Sequence, residues 1–185
     1  PLPQLKLPTL PGAAGSAILY TAEYARQSDY ADNAGSFDLD YGLLEGGVRL
    51  FGVSFKAAYE LLEGGAMNGT RALQAPLGTL HAFNGWTDQF LRTPAAGLKD
   101  TYFTVGGPVP GLAMDWLLRY DSYKSDAGSN DYGDEWGVLL SKTFAEKYTI
   151  GLKYADYSTD APAFVAGRPD TSDVSKSWLW VQIKI

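Results

Sequence analysis

The sequence predicts an all-β fold, an antiparallel up-and-down transmembrane β-barrel of about eight strands, on three observations. The first is alternation. In Gly111 to Tyr123, GLAMDWLLRYDSY, the residues Leu112, Met114, Trp116, Leu118 and Tyr120 would share one face of an extended strand, while Ala113, Asp115, Leu117, Arg119 and Asp121 share the other. The second is composition: 12 Tyr, 8 Phe, 5 Trp and 21 Gly favour strands and turns over a helical bundle. The third is the spacing of the connections, short after every second strand and mostly longer after the others, as in barrels with tight turns on one rim and loops on the other.

Residues 1–16, with prolines at 1, 3, 8 and 11, read as an extended tail, because proline withholds the N–H that a sheet needs. The barrel is expected over 17–185. The first strand runs from Ala17 to Tyr30, with Ile18, Tyr20, Ala22 and Tyr24 on its apolar side and Thr21, Glu23, Ala25 and Gln27 opposite. The second, Phe37 to Leu50, changes phase: Leu39, Tyr41 and Leu43 alternate with Asp38 and Asp40, but Val48 and Leu50 then fall on the other parity. A bulge at Gly46-Gly47 would absorb such a slip. Phe51-Gly52 turns tightly into the third strand, where Val53, Phe55, Ala57 and Tyr59 alternate with Ser54, Lys56, Ala58 and Glu60.

The stretch 64–97 breaks the alternation and is too long for a plain connection, so it is expected to be functional or to fold locally. Leu80, Phe83, Trp86, Phe90 and Leu91 have spacings compatible with a short, glycine-interrupted helix or with a loop holding its own hydrophobic cluster. A fourth strand, Leu98 to Val105, then passes through glycines and prolines at 106–111 into the fifth, Gly111 to Tyr123. The sixth, Tyr132 to Phe144, sets Trp136, Val138, Leu140 and Phe144 against Glu135, Gly137, Ser141 and Thr143, with Lys142 on the apolar side where its stem can snorkel. The seventh carries Tyr148, Ile150, Leu152 and Tyr154, and the eighth Leu179, Val181 and Ile183 against Trp178, Trp180, Gln182 and Lys184.

Charge and chemistry narrow the function classes. A net charge of -6 and no basic tract argue against nucleic acid. Cysteine is absent, which removes thiol nucleophiles, disulfides and thiolate metal sites. The single histidine, His81, allows no histidine metal cluster, and the aspartates near loops match no calcium-loop spacing. No catalytic residue, metal or cofactor is therefore expected. Mean hydropathy of -0.15 is what alternating strands give whichever face is buried. A lipid-facing exterior is favoured by the aromatics Tyr20, Tyr24, Trp116, Tyr120, Trp136, Tyr148 and Tyr154, which lie on the apolar face toward strand ends as interfacial girdles do. The opposite face carries Glu23, Glu45, Arg49, Lys56, Glu60, Asp115, Arg119, Glu135, Lys153 and Lys184, expected to pair within a lumen.

Several stretches carry a resemblance: YTAEYARQSDYADN, LQAPLGTLHAFNGWTDQFLRTPAAGLKDTYFTVGG, YGDEW and LKYADYS are similar to the C-terminal half of bacterial alginate-export-family outer-membrane porins. The likeness spans most of 17–185 and is most specific in the loop segment containing His81, Phe83, Asn84 and Trp86. It implies a Gram-negative outer-membrane location, both termini on the periplasmic short-turn rim, contact with lipid or detergent, and passage of small solutes or an anionic saccharide. The family's barrel has about twice this strand count, so the resemblance leaves open a piece of a larger pore or a small reclosed barrel that conducts little. A non-conducting structural barrel, or a component of a larger outer-membrane assembly, stands as the alternative.

Overall fold

The computed structural model describes residues 15–30, 37–65, 72–75, 84–160 and 172–184. Strands form wherever apolar and polar residues alternate, and they end at glycine, proline and short polar clusters. The elements are β1 (Ala17–Ser28), β2 (Asp38–Leu50), β3 (Val53–Leu62), β4 (Leu98–Val109), β5 (Met114–Lys124), β6 (Asp131–Phe144), β7 (Tyr148–Ser158) and β8 (Val174–Ile183). They make one antiparallel sheet in the order β1-β2-β3-β4-β5-β6-β7-β8, with no helix among the described residues. The helix considered for 80–91 is thus absent from the described part of that stretch. The tail at 1–14 and the loop residues His81 and Phe83 lie outside the described residues.

The short connections are tight for identifiable reasons. Phe51 and Gly52 both have positive φ (51° and 85°), the geometry that lets a two-residue hairpin follow strand twist. Pro110-Gly111 forms a type II turn closed by the Leu112 amide on the Val109 carbonyl at 3.2 Å, with Gly111 at φ 78°. At Ala145-Glu146 the Lys147 amide closes onto Phe144 at 3.0 Å.

Two expectations need correction. β4 continues to Val109, past the glycines taken for a turn, so β5 begins only at Met114. No bulge occurs at Gly46-Gly47: β2 pairs with both β1 and β3 without a register shift there, and among the described pairs the irregularity falls at Tyr123/Lys124 in β5. The phase change in β2 is one of environment. Leu39, Tyr41 and Leu43 lie on the same face as Glu45, Gly47 and Arg49, and Leu39 is buried at 1% exposure. At that end of the sheet, an apolar cluster occupies the face that is polar further down. It comprises Leu39, Leu62, Leu73, Phe90, Leu98, Tyr123, Tyr132 and Tyr157, with Phe37 and Tyr41 packed against it.

Candidate functional site

The two faces of the sheet differ in kind. One is bare: Ile18, Tyr20, Tyr24, Leu44, Phe55, Tyr59, Phe103, Leu118, Tyr120, Trp136, Tyr148, Ile150, Leu152, Leu179 and Val181 are all exposed on it. All seven aromatics singled out above lie on this face, with Trp116 and Tyr154 half-buried and the other five exposed. An apolar surface that runs over every strand is far larger than the few hundred Å² a water-facing monomer tolerates.

This bare face has a polar boundary toward the long loops. Moving up each strand, and leaving aside Lys142 beside the lower turn of β6, the first outward polar residue is Arg26, Asp40, Glu63, Thr101, Ser122, Asp134, Asp156 and Ser177, from the β1 to the β8 column in turn. The outward residue just below is aromatic in five of the strands: Tyr24, Phe103, Tyr120, Trp136 and Tyr154. Following the hydrogen-bonded rows from Ser177 through Tyr154, Val138, Leu118, Val105, Phe55 and Val48 leads to Ile18, eight residues below Arg26. Eight residues at about 3.3 Å over seven strand steps of about 4.8 Å incline the strands by about 38° to the normal of that boundary.

The opposite face is covered by the connection between β3 and β4. Phe90 sits in the apolar cluster, with ring centroids 4.5 Å from Tyr123, 5.9 Å from Tyr132 and 6.1 Å from Tyr157. Glu135, on β6 and 2% exposed, holds the loop. It accepts the Trp86 and Thr87 amides and the Thr87 hydroxyl, the Thr87 amide at 3.0 Å. Glu60 accepts Asn84 Nδ2 at 3.1 Å and the Tyr41 hydroxyl at 2.9 Å. Asp88 pairs with Lys176 at 3.0 Å. The Trp86 ring lies so close over β6 that a Cβ at Gly137 would come within 2.5 Å of it, so any larger residue there would displace the indole.

Nine of the ten charged positions predicted for one face do share it by register, Lys184 lying just past the end of β8, and several are brought together. Lys56 pairs with Glu45 at 2.9 Å. Arg119 donates through Nε to Asp121 at 2.8 Å, approaches Asp100 to 3.7 Å, and stacks 4.2 Å from the Tyr102 ring centroid. Arg49 donates instead to Ser54, at 3.0 Å. Glu23 and Asp115 are exposed on the same face and Lys184 is exposed beyond the end of β8, and no ion pair reaches them among the described residues. Asp100 and Lys176 belong to the same set but were not singled out from the sequence, and Asp121 entered there only through the alternation of the fifth strand. The alternation of β4 and β5 does carry Asp100 and Asp121, since Asp100 is in phase with Tyr102 and Asp121 with Arg119.

Among the described residues Arg119 is the one cation within ion-pairing distance of the fully buried Asp100 and Asp121, so its removal should be costly. Arg119→Met is expected to lower stability by about 3–5 kcal/mol, because it strands carboxylates without a counter-charge. Urea unfolding in detergent measures this, and adding Asp100→Asn to the same chain should recover part of the loss.

Among the described residues no group of acidic or histidine side chains could hold a metal ion. No helix is long and apolar enough to cross a membrane, which leaves crossing by strands untouched. No family model, no curated protein and no solved structure matches this chain.

Proposed function

We propose that this sheet is the wall of an outer-membrane β-barrel of porin type, its bare face in lipid and its loop-covered face toward the lumen, passing small or anionic solutes. The oblique polar boundary carries this reading. A plane that cuts the strands at about 38° and is edged with Tyr, Trp and Phe is what a bilayer surface imposes on strands tilted ~35–45°. A soluble sandwich has no reason to place a straight aromatic border across hydrogen-bonded rows.

The free edges of β1 and β8, which pair with each other nowhere among the described residues, support a barrel wider than eight strands, closed by additional ones. The resemblance to alginate-export porins fits that size. In this reading the short turns face the periplasm of a Gram-negative cell, and the β3–β4 loop folds inward as a constriction. A second reading, a non-conducting structural wall, is favoured by the aromatic plug of Phe90, Tyr123, Tyr132 and Tyr157.

The experiment is reconstitution into phospholipid vesicles and planar bilayers. Detergent-dependent solubility, insertion and stepwise conductance are expected. Insertion without conductance would select the structural wall, and a monodisperse protein in plain buffer would end both.

A further inference from the structure

Charges on the loop-covered face sort by hydrogen-bonded row. One row holds Glu23, Glu60 and Asp100, the next holds Glu45, Asp121 and Glu135, and neither carries a cation; the row below them holds Lys56, Arg119 and Lys176. Four of the six carboxylates are engaged: Asp100 and Asp121 with Arg119, Glu45 with Lys56, and Glu135 with the amides of Trp86 and Thr87. Glu23 and Glu60, at the β1–β3 end, have no counter-cation among the described residues. Glu60 is 6% exposed, and the groups donating to it, the Tyr41 hydroxyl and the Asn84 amide, are neutral. A buried charge in that state is stabilised by an incoming cation.

Both carboxylates line a cavity of about 650 Å³ between that end of the sheet and the loop, a volume in the range of small-molecule sites. Its apolar lining is Ala25, Leu62, Leu73 and Ala75. Its neutral polar groups already serve one another or the chain. Gln27 donates to the Gln74 carbonyl at 3.2 Å and accepts the Gln74 amide at 3.1 Å, the Gln74 side chain bonds the main chain of Thr93, and Tyr41 and Asn84 are turned to Glu60. Among the described lining residues Arg26 is the one cation, and it belongs to the outward set and is held by Asp38. What the cavity has left is acceptor capacity. Glu23 is exposed, with no hydrogen bond or ion pair among the described residues, and a carboxylate with two donors keeps about two free acceptor sites. An anion would meet two like charges there, and a polyol would find acceptors but few donors. An ammonium on a short apolar body suits both parts of the lining.

We propose that the cavity between the β1–β3 wall and the loop is a subsite for a small monoamine in its ammonium form, with the ammonium on Glu23 and in the field of Glu60, and the apolar body toward Leu62 and Leu73. The proposal rests on the pore reading, which opens this face to solutes, and names an organic cation as the solute that pauses at this wall.

Binding is tested on the whole chain in detergent by isothermal titration calorimetry, with benzylammonium as the probe and detergent alone as the blank. Saturable binding in the millimolar range is expected, at least fivefold tighter than benzyl alcohol, which lacks the charge, and at least fivefold tighter than methylammonium, which lacks the apolar body. Benzoate should not bind at this site. Glu23→Gln, which removes no contact of the folded chain, should weaken benzylammonium about fivefold and leave benzyl alcohol unchanged. Equal binding of benzyl alcohol, methylammonium or benzoate to the unaltered protein overturns the proposal, and that comparison needs no variant to fold. Bilayer conductance without benzylammonium binding removes the subsite and leaves the pore. Benzylammonium binding by a chain that never conducts keeps the subsite and removes the pore.

Discussion

Glu135→Gln should release the β3–β4 loop. The Glu135 carboxylate accepts from two loop amides and one hydroxyl while nearly inaccessible to water, and the neutral amide cannot accept three donors as strongly. The expected loss of stability is about 3 kcal/mol, at the lower end of what several charge-assisted bonds to one buried group contribute. Because Arg92 is exposed on this loop, trypsin reports the release directly. Cleavage after Arg92 should quicken at least tenfold in Glu135→Gln and by a smaller factor in Thr87→Ala, which deletes one donor. Unchanged cleavage in both would mean that the apolar seat of Phe90, rather than Glu135, holds the loop.

Leu118→Arg is expected to cost about 2–4 kcal/mol in a bilayer, the value for a cation at mid-depth on a lipid-facing strand. Leu118 lies mid-way along β5, 44% exposed, between Trp116 and the boundary residue Tyr120. On a water-facing surface the same substitution would change stability by no more than about 0.5 kcal/mol and improve solubility. The two outcomes differ in size and in practical sign. Urea titration of the protein folded into phospholipid vesicles measures the first, and a near-zero change would place this face in water.

The sequence carried most of the sheet. Strand number, order and the facing of Leu118 against Arg119, or Trp136 against Glu135, follow from a period of two that side chains cannot escape. Turn positions were legible where Phe51-Gly52 and Ala145-Glu146 interrupt that period. β2 misled because its upper half has the opposite polarity sense. Leu39 and Tyr41 point to the same side as Glu45 and Arg49, and the apolar cluster they join with distant Phe90 and Tyr157 makes that end of the side apolar. Continuation of β4 through Gly106 and Gly107 was hidden because glycine reads as punctuation. Here the two residues stay in the ladder opposite Leu117 and Trp116, and a Cβ at Gly106 would come within 2.6 Å of the Trp116 carbonyl oxygen. The charged face was recoverable from alternation, whereas its partners in the loop, Asn84, Thr87 and Asp88, were not, since no local pattern encodes contacts 24 to 88 residues apart.

Because each strand bonds only to its neighbours in sequence, the sheet can zip from any of its three tight hairpins, each closing a loop of a few residues. The β3–β4 pairing is different: Leu62 meets Leu98 only after thirty-odd intervening residues have been gathered in. That seam separates an early-forming three-stranded ribbon from a five-stranded one. Phe90 packs on Tyr123, Tyr132 and Tyr157, all in the five-stranded ribbon, so its seat needs no contact across the seam, and the entropy of gathering in the long loop weighs on the pairing of β3 with β4.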